Sequence, residues 1–532
     1  MKKKLLAMLL VSTTVVKVAC SSNNQAKEEG TSNQNNEELV LAISNEPADG
    51  FDPVNGWGKY GAPLFQSTLF RYDPDFNLIN DIGVNYEISE DLLNWTIEIR
   101  EDVRYSDDTP FKVEDIIYTF ETIKAANSII DLQNVKAIEK LDETHVVFQL
   151  KKPDTTFAHI LATTGLFSEK HYSDTYNQHP IGTGPYILEQ WDKGEKVILT
   201  PNPNYYGEEP EIKKLTFLFL NEETAIASAK KEEIDVLAVS AQNADLDIPG
   251  MTLQTFDSVD NRGIALPVIK ETTRDGKKVG NDVTANRSIR QAMNIVIDRD
   301  EMVSGVLNGF GTRAFSVADQ LPWWNEKSVF EDNQLDKAKA ILEKDGWEWD
   351  KDGKLFKGEI EATIDLLYPS GDPVREALAL TFKTQVAPLG ITVNTIGESW
   401  DYLEKEFNAN PTLMGWGSNT PIEMYNIYDS STIGKGMYNI NYYQNDQVEN
   451  YFDKALSSRD LDEANKYWKL AQWDGEQGFA TEEGDVPWIW LVNVQHLYYM
   501  NDQLNIGEQK IQPHGHGWAI TDFINEWTLS ND

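Results

Sequence analysis

Two histidines separated by a single glycine, His514 and His516, are the pair in this 532-residue chain whose type and spacing suit a metal. On an extended segment both imidazoles face one way, and imidazole is a ligand for nickel, copper or zinc. Two imidazoles make half a coordination shell, and Gly515 and Gly517 would equally serve a turn. Nucleophilic catalysis has less to stand on. The single cysteine, Cys20, lies near the N-terminus, so no Cys–His enzyme can be built. There is no Gly-x-Ser-x-Gly elbow, no His-Glu-x-x-His and no P-loop. With 86 acidic residues, carboxylate pairs are inevitable and carry no weight alone. A secreted hydrolase is the weak rival reading, and no cofactor is expected.

Binding chemistry is better represented. A short strand at 413–417 ends in the loop Gly417-Ser418-Asn419-Thr420-Pro421-Ile422-Glu423-Met424-Tyr425. Trp416 and Tyr425 offer rings for stacking, Asn419 a neutral acceptor, and Glu423 the nearest acid. Trp57 and Tyr60 sit in a glycine-bearing loop, where rings either reach a ligand or cover core. Arg313 is a candidate carboxylate partner, with a structural salt bridge as the competing role.

The elements that must position these groups alternate between helix and strand, which gives an α/β class. Trp95, Ile97 and Ile99 alternate with Thr96, Glu98 and Arg100, the period of a strand with one buried face. Val113, Ile116, Ile117 and Phe120 make one helical stripe, with Glu114 and Asp115 in its first turn. Residues 38–43, 145–150, 212–220 and 488–494 read as strands. Residues 63–70, 287–303, 336–347 and 449–474 read as helical. Residues 272–281 read as a polar surface insertion. Gly182 and Gly184 predict a tight turn needing positive φ.

The wording of several segments is specific. Trp95-Thr96-Ile97, Arg100, Asp102-Val103-Arg104-Tyr105-Ser106-Asp107, Pro110-Phe111 and Asp115 form a long match. Ile181-Gly182-Thr183-Gly184-Pro185-Tyr186 and Pro201-Asn202-Pro203-Asn204-Tyr205-Tyr206-Gly207 extend it. The chain resembles the extracytoplasmic solute-binding proteins that serve peptide and nickel ABC importers, solute-binding family 5. The resemblance runs from about residue 39 to 527. It implies a two-lobed periplasmic-binding-protein-like fold (type II, large peptide-binder class) with the ligand cleft between lobes. Lobe I would take residues 39–265, lobe II residues 266–494, and residues 495–532 would return to lobe I. It implies capture of short peptides, or alternatively of a nickel or other metal chelate, for an ABC permease and its ATPase subunits.

Two departures from the family pattern bear on the ligand. Peptide binders of the family place an Asp just beyond the Trp416 strand to accept the ligand's α-ammonium, and here that loop has none. Nickel-chelate binders place a basic residue after the 145–150 strand, and residues 162–167 have no Arg.

The N-terminus reads as an export signal over residues 1–19. Lys2, Lys3 and Lys4 precede the apolar run Leu5–Val16, too short for a stable span. Val18-Ala19-Cys20-Ser21 resembles a lipoprotein cleavage box, with Lys17 where such signals carry Leu. Cys20 is the lipidation candidate, and residues 20–38, almost free of apolar side chains, read as a flexible tether. The expected protein is extracytoplasmic, monomeric and attached to the outer face of the cell membrane through its lipid alone. The formal charge of −39 excludes nucleic acid as a partner.

Overall fold

The computed structural model describes residues 37–43, 46–126, 128–515 and 517–530. The expectations for the signal, for Cys20, for residues 20–36 of the tether and for His516 lie outside the described residues.

Three sheets organise the chain. The segment carrying the long sequence match folds as expected. Strand Asn94–Ile99 buries Trp95, Ile97 and Ile99, and helix Val113–Ala125 buries Val113, Ile116, Phe120 and Ile123. Asp115 accepts the Lys112 backbone N–H at 2.9 Å, fixing the helix start. Together they build an antiparallel sheet in the order Gly83–Ile88, Asn94–Ile99, His145–Leu150, Val135–Lys140. Its apolar face and the helix share one core.

A seven-stranded sheet runs Met251–Phe256, His496–Asn501, Val236–Val239, Glu38–Ala42, Lys214–Leu218, Lys196–Pro201, Tyr186–Asp192. Glu38–Ala42 is parallel to both of its neighbours, and the remaining pairs are antiparallel. A six-stranded sheet runs Gly311–Arg313, Trp488–Val494, Asn261–Ala265, Thr412–Met414, Thr363–Pro369, Thr392–Glu398. Strand Trp488–Val494 lies inside it and is buried along nearly its whole length, as its unbroken apolar run requires.

The chain passes between these two sheets twice. It crosses through residues 257–260 and comes back through Gln495 alone. The crossings lie side by side: Val494 N–H donates to the Asp260 carbonyl at 2.9 Å.

Four local expectations are corrected. Residues 63–70 are not a helix. Their backbone instead receives the 182–186 segment, with Gly184 N–H donating to the Phe65 carbonyl and Tyr186 N–H to that of Leu64. Gly182 and Gly184 do not have positive φ. They are glycine because of close approach: a Cβ would stand 1.9 Å from the Phe65 carbonyl oxygen at Gly182 and 2.4 Å from that of Leu64 at Gly184. Residues 287–303 form two helices, Arg287–Val296 and Arg299–Val306, separated where Asp298 caps the second by accepting the Glu301 N–H. Residues 449–474 likewise divide, into Asp446–Leu456 and Leu461–Gln472, with Asp460 as the cap. Both breaks follow from a capping acid outcompeting apolar periodicity.

Candidate functional site

The strand Thr412–Met414 delivers Gly415, Trp416 and Gly417 against the first crossing. Trp416 N–H donates to Asn261 Oδ1 at 2.9 Å, and Asn261 N–H donates back to the Trp416 carbonyl at 3.2 Å. Only glycine fits on either side. A Cβ at Gly415 would meet the Asn261 carbonyl oxygen at 2.2 Å, and one at Gly417 (φ +148°) the Val259 carbonyl oxygen at 2.1 Å. The loop is thus locked, and Trp416 has one orientation. Its ring lies 5.9 Å from Tyr438, and its indole Nε1 is buried with no hydrogen-bond partner among the described residues.

Glu423 stands in the first turn of helix Ile422–Tyr428 and folds back onto this loop. Its carboxylate accepts the Gly417 N–H at 3.2 Å and the Ser418 N–H at 2.9 Å. Burial pushes the carboxyl up to about 7, against the pull of those two N–H donors and of Lys59. Lys59 and Tyr60 face it from the first half of the chain. Burial lowers the Lys59 ammonium while Glu423 raises it. Burial also pushes the Tyr60 hydroxyl up to about 12, with Glu423 and Tyr438 adding to the effect.

The C-terminal segment forms the third wall. His514 N–H donates to the Gly417 carbonyl at 2.7 Å, and its ring lies 5.7 Å from that of Tyr60. Asn419 Nδ2 donates to the Ile511 carbonyl at 3.2 Å, leaving its Oδ1 buried without a partner among the described residues. Among those residues no group of three or more His, Cys, Asp or Glu is placed to hold a metal.

A further space lies beside the second crossing, lined by Gln495 and Gly515. A cavity of about 300 Å³ there is lined by Ser240, Phe310, Val374 and His496 among others, the lower end of ligand-site volumes. His496 Nε2 is 3.7 Å from Asp260, which pairs with Arg262 at 2.5 Å. Arg375 pairs with Asp372 and feels Arg262 as a like charge, and burial together with that repulsion lowers its pKa. Both guanidinium groups carry a buried Nε with no partner among the described residues. Each guanidinium is already paired with a carboxylate of its own, Asp260 for Arg262 and Asp372 for Arg375.

The remaining sequence candidates lie elsewhere. Trp57 donates its indole N–H to the Pro63 carbonyl at 2.7 Å and packs edge-on against Phe51 and Trp518. Arg313 pairs with Asp300 at 3.6 Å and lies over Phe315. Tyr425 shares a hydrogen bond with Ser431 at 2.9 Å and leans on Phe452. None of the three joins Trp416 and Glu423. The sequence reading missed Lys59, Arg262 and Arg375. Lys59 was legible as the only cation in the Trp57–Tyr60 loop, whereas the two arginines meet only through tertiary structure.

Aromatic contacts also join the first half of the chain to the segment carrying Trp323. His159 is buried between Tyr72 (5.0 Å) and Trp323 (5.7 Å), and Trp323 also meets Phe76 at 6.0 Å. Burial pushes the His159 imidazole down to about 3.

Similarity to known proteins agrees with this geometry. The chain is 28% identical to Protein XP55 of Streptomyces lividans over 486 residues, 88% of this chain and 85% of that protein. It is 24% identical to the oligopeptide-binding protein AppA of Bacillus subtilis, over 84% of this chain and 82% of AppA. The crystal structure of NikZ from Campylobacter jejuni with Ni(L-His) shares the fold at a TM-score of 0.74 and 24% identity, covering 93% of this chain and 99% of NikZ. The solved neighbours are type II periplasmic binding proteins of family 5, and this chain has the same mixed α/β fold. The model of bacterial extracellular solute-binding proteins, family 5 Middle, matches residues 77–439, and the chain belongs to that family.

Proposed function

We propose that this protein is the solute-capturing component of an ABC importer and that its solutes are short peptides. One observation carries the reading: the 415–423 loop gathers the buried Glu423 carboxylate, the Asn419 oxygen and the Trp416 indole opposite Lys59 and Tyr60 of the first half of the chain. The carboxylate and the amide oxygen suit an ammonium, and the indole suits a peptide main chain. A short peptide with a free amino terminus complements them. The oligopeptide-binding name of one relative supports the same class.

Hinge motion belongs to this reading. The crossings at 257–260 and Gln495 are the residues about which lobes at 39–265 and 266–494 would move, with 495–532 returning to the first. Attachment to the cell envelope through Cys20 completes it, with residues 20–38 as tether.

A metal chelate is the second reading, favoured by His514 in the groove wall and by the Ni(L-His) complex of a protein with this fold. The deciding experiment is native mass spectrometry of the purified protein, followed by calorimetric titration with a mixed peptide pool and with nickel plus free histidine. A co-purifying peptide and saturable peptide heats are expected. Nickel–histidine heats without peptide binding would overturn the peptide assignment.

A further inference from the structure

A cavity lies beside Lys59, Tyr60 and Asn419 of the candidate site. It encloses about 100 Å³ between the 58–72 segment, Tyr205 and the 510–525 segment. Cations gather in it, with two further carboxylates facing them from outside its lining, Glu423 toward Lys59 and Glu526 toward Arg71. In a chain of formal charge −39, this cavity is lined by three cations, Lys59, Arg71 and Lys510, against two carboxylates, Asp81 and Asp522.

Both carboxylates are already committed. Asp81 accepts the Thr68 N–H at 3.1 Å, the Thr68 hydroxyl at 3.2 Å and the Tyr206 hydroxyl. Asp522 pairs with Lys510 at 2.9 Å. Arg71 is not so committed. It feels the Asp81 charge without an ion pair to it, and its buried Nε has no hydrogen-bond partner among the described residues. The next residue, Tyr72, is 6% exposed, and its hydroxyl also has no partner among them. A guanidinium and a phenol hydroxyl left with unpartnered donors beside one cavity match an oxyanion, because buried donors of this kind are ordinarily satisfied.

Asn419 lines the same cavity, and its Oδ1 is buried without a partner among the described residues. An occupant that reaches it must also bring an N–H donor.

We propose that this cavity is a carboxylate subsite in which Arg71 and the Tyr72 hydroxyl hold the anion and Asn419 takes an N–H of the same molecule. Two sources share that chemistry: the carboxylate of the solute carried in the groove, in which case the subsite rests on the peptide reading, and a free small carboxylate.

Calorimetric titration of the mature chain separates them. The probes are sodium acetate, blanked with sodium chloride at equal ionic strength, and trialanine compared with trialanine amide. The variants are Arg71→Gln and Tyr72→Phe. Acetate binding that Arg71→Gln weakens about tenfold or more would assign a free anion. A tenfold preference for trialanine over its amide, erased by Arg71→Gln, would assign the solute's own terminus. Wild-type protein that neither binds acetate nor prefers the acid overturns the proposal. So does an Arg71→Gln chain with native circular dichroism and unchanged titrations. Should Arg71→Gln not fold, Tyr72→Phe keeps the ring and loses only the hydroxyl, and its unchanged titrations would overturn the proposal equally. Acetate binding with no trialanine heat would remove the peptide reading and leave the subsite standing.

Discussion

The Thr155 hydroxyl donates to the carbonyl of Ala455 at 2.7 Å, across 300 residues of sequence. Thr155 N–H adds a bond to the Leu456 carbonyl at 3.0 Å. These bonds tie the loop before helix Phe157–Thr163 to the end of helix Asp446–Leu456. The first element packs on the four-stranded sheet and the second beneath the six-stranded one. With the His159–Trp323 contact they form a clasp at the rim of the groove. Thr155→Val keeps the shape and removes one hydrogen bond worth about 1 kcal/mol, a shift of about fivefold toward an open form. Small-angle scattering of the unliganded variant should give a larger radius of gyration than wild type, and ligand should restore the smaller value. Identical values for both unliganded proteins would remove the clasp.

Glu423 predicts proton release on binding. Its carboxyl titrates near 7 in the unliganded protein, and an ammonium placed beside it would favour the ionised form. Titration at pH 6.5 in two buffers of different ionisation enthalpy should show protons leaving with peptide, and Glu423→Gln should abolish the difference. The sign for stability follows the same way. The folded pKa lies above the unfolded value, so this contribution is complete below pH 4.5 and is lost as pH rises through 7. Denaturant titrations of wild type and Glu423→Gln should therefore diverge across that window, by on the order of 2–3 kcal/mol.

His159 acts in the opposite direction. Its folded pKa lies below the unfolded one, so its contribution is complete above pH 6.5 and is lost as pH falls toward 3. His159→Gln should flatten the acid limb of the stability profile. An unchanged acid limb would place the acid sensitivity elsewhere.

Two tryptophans should separate binding from stability. Trp416→Ala removes a ring whose N–H is unpartnered beside the groove, and should weaken peptide binding about thirtyfold, about 2 kcal/mol. Trp57→Ala should instead cost on the order of 2–3 kcal/mol of unfolding free energy, because its partly buried ring packs against an aromatic core and its N–H is bonded to Pro63. Equal effects of the two on affinity would refute this division.

Cys20→Ala should move the protein from the cell envelope to the medium, read by immunoblot of the two fractions. A variant that stays with the envelope to the wild-type extent would show that another anchor is used.

Much of the fold was legible from short-range pattern. The strand at Trp95–Ile99, the stripe from Val113 to Phe120 and the apolar run at Trp488–Val494 each state their own burial. The long match in wording around them named the family. Trp416, Asn419 and Glu423 could be singled out because they share one loop, where sequence distance and spatial distance agree. Where local signals competed, pattern misled: Asp298 and Asp460 end helices that periodicity would continue, and 63–70 gives up its apolar spacing to pair with 182–186.

Tertiary structure alone decided what faces what. Arg262 and Arg375 lie 113 positions apart in the chain, and no spacing rule predicts that their charges meet. Tyr60 and Trp57 share one loop, yet one faces Glu423 and the other packs against the core of the first half, since a backbone turn of three residues rotates a side chain to another face. Glu423 reads in sequence as the acid nearest the Trp416 loop, with nothing to show where its carboxylate points. Folding turns it back onto the Gly417 and Ser418 amides and removes it from water, and that desolvation makes it titrate near neutrality. Sequence determined which elements form and which family they compose. The site's chemistry depends on burial and on contacts between distant segments, and those exist only once the chain has closed on itself.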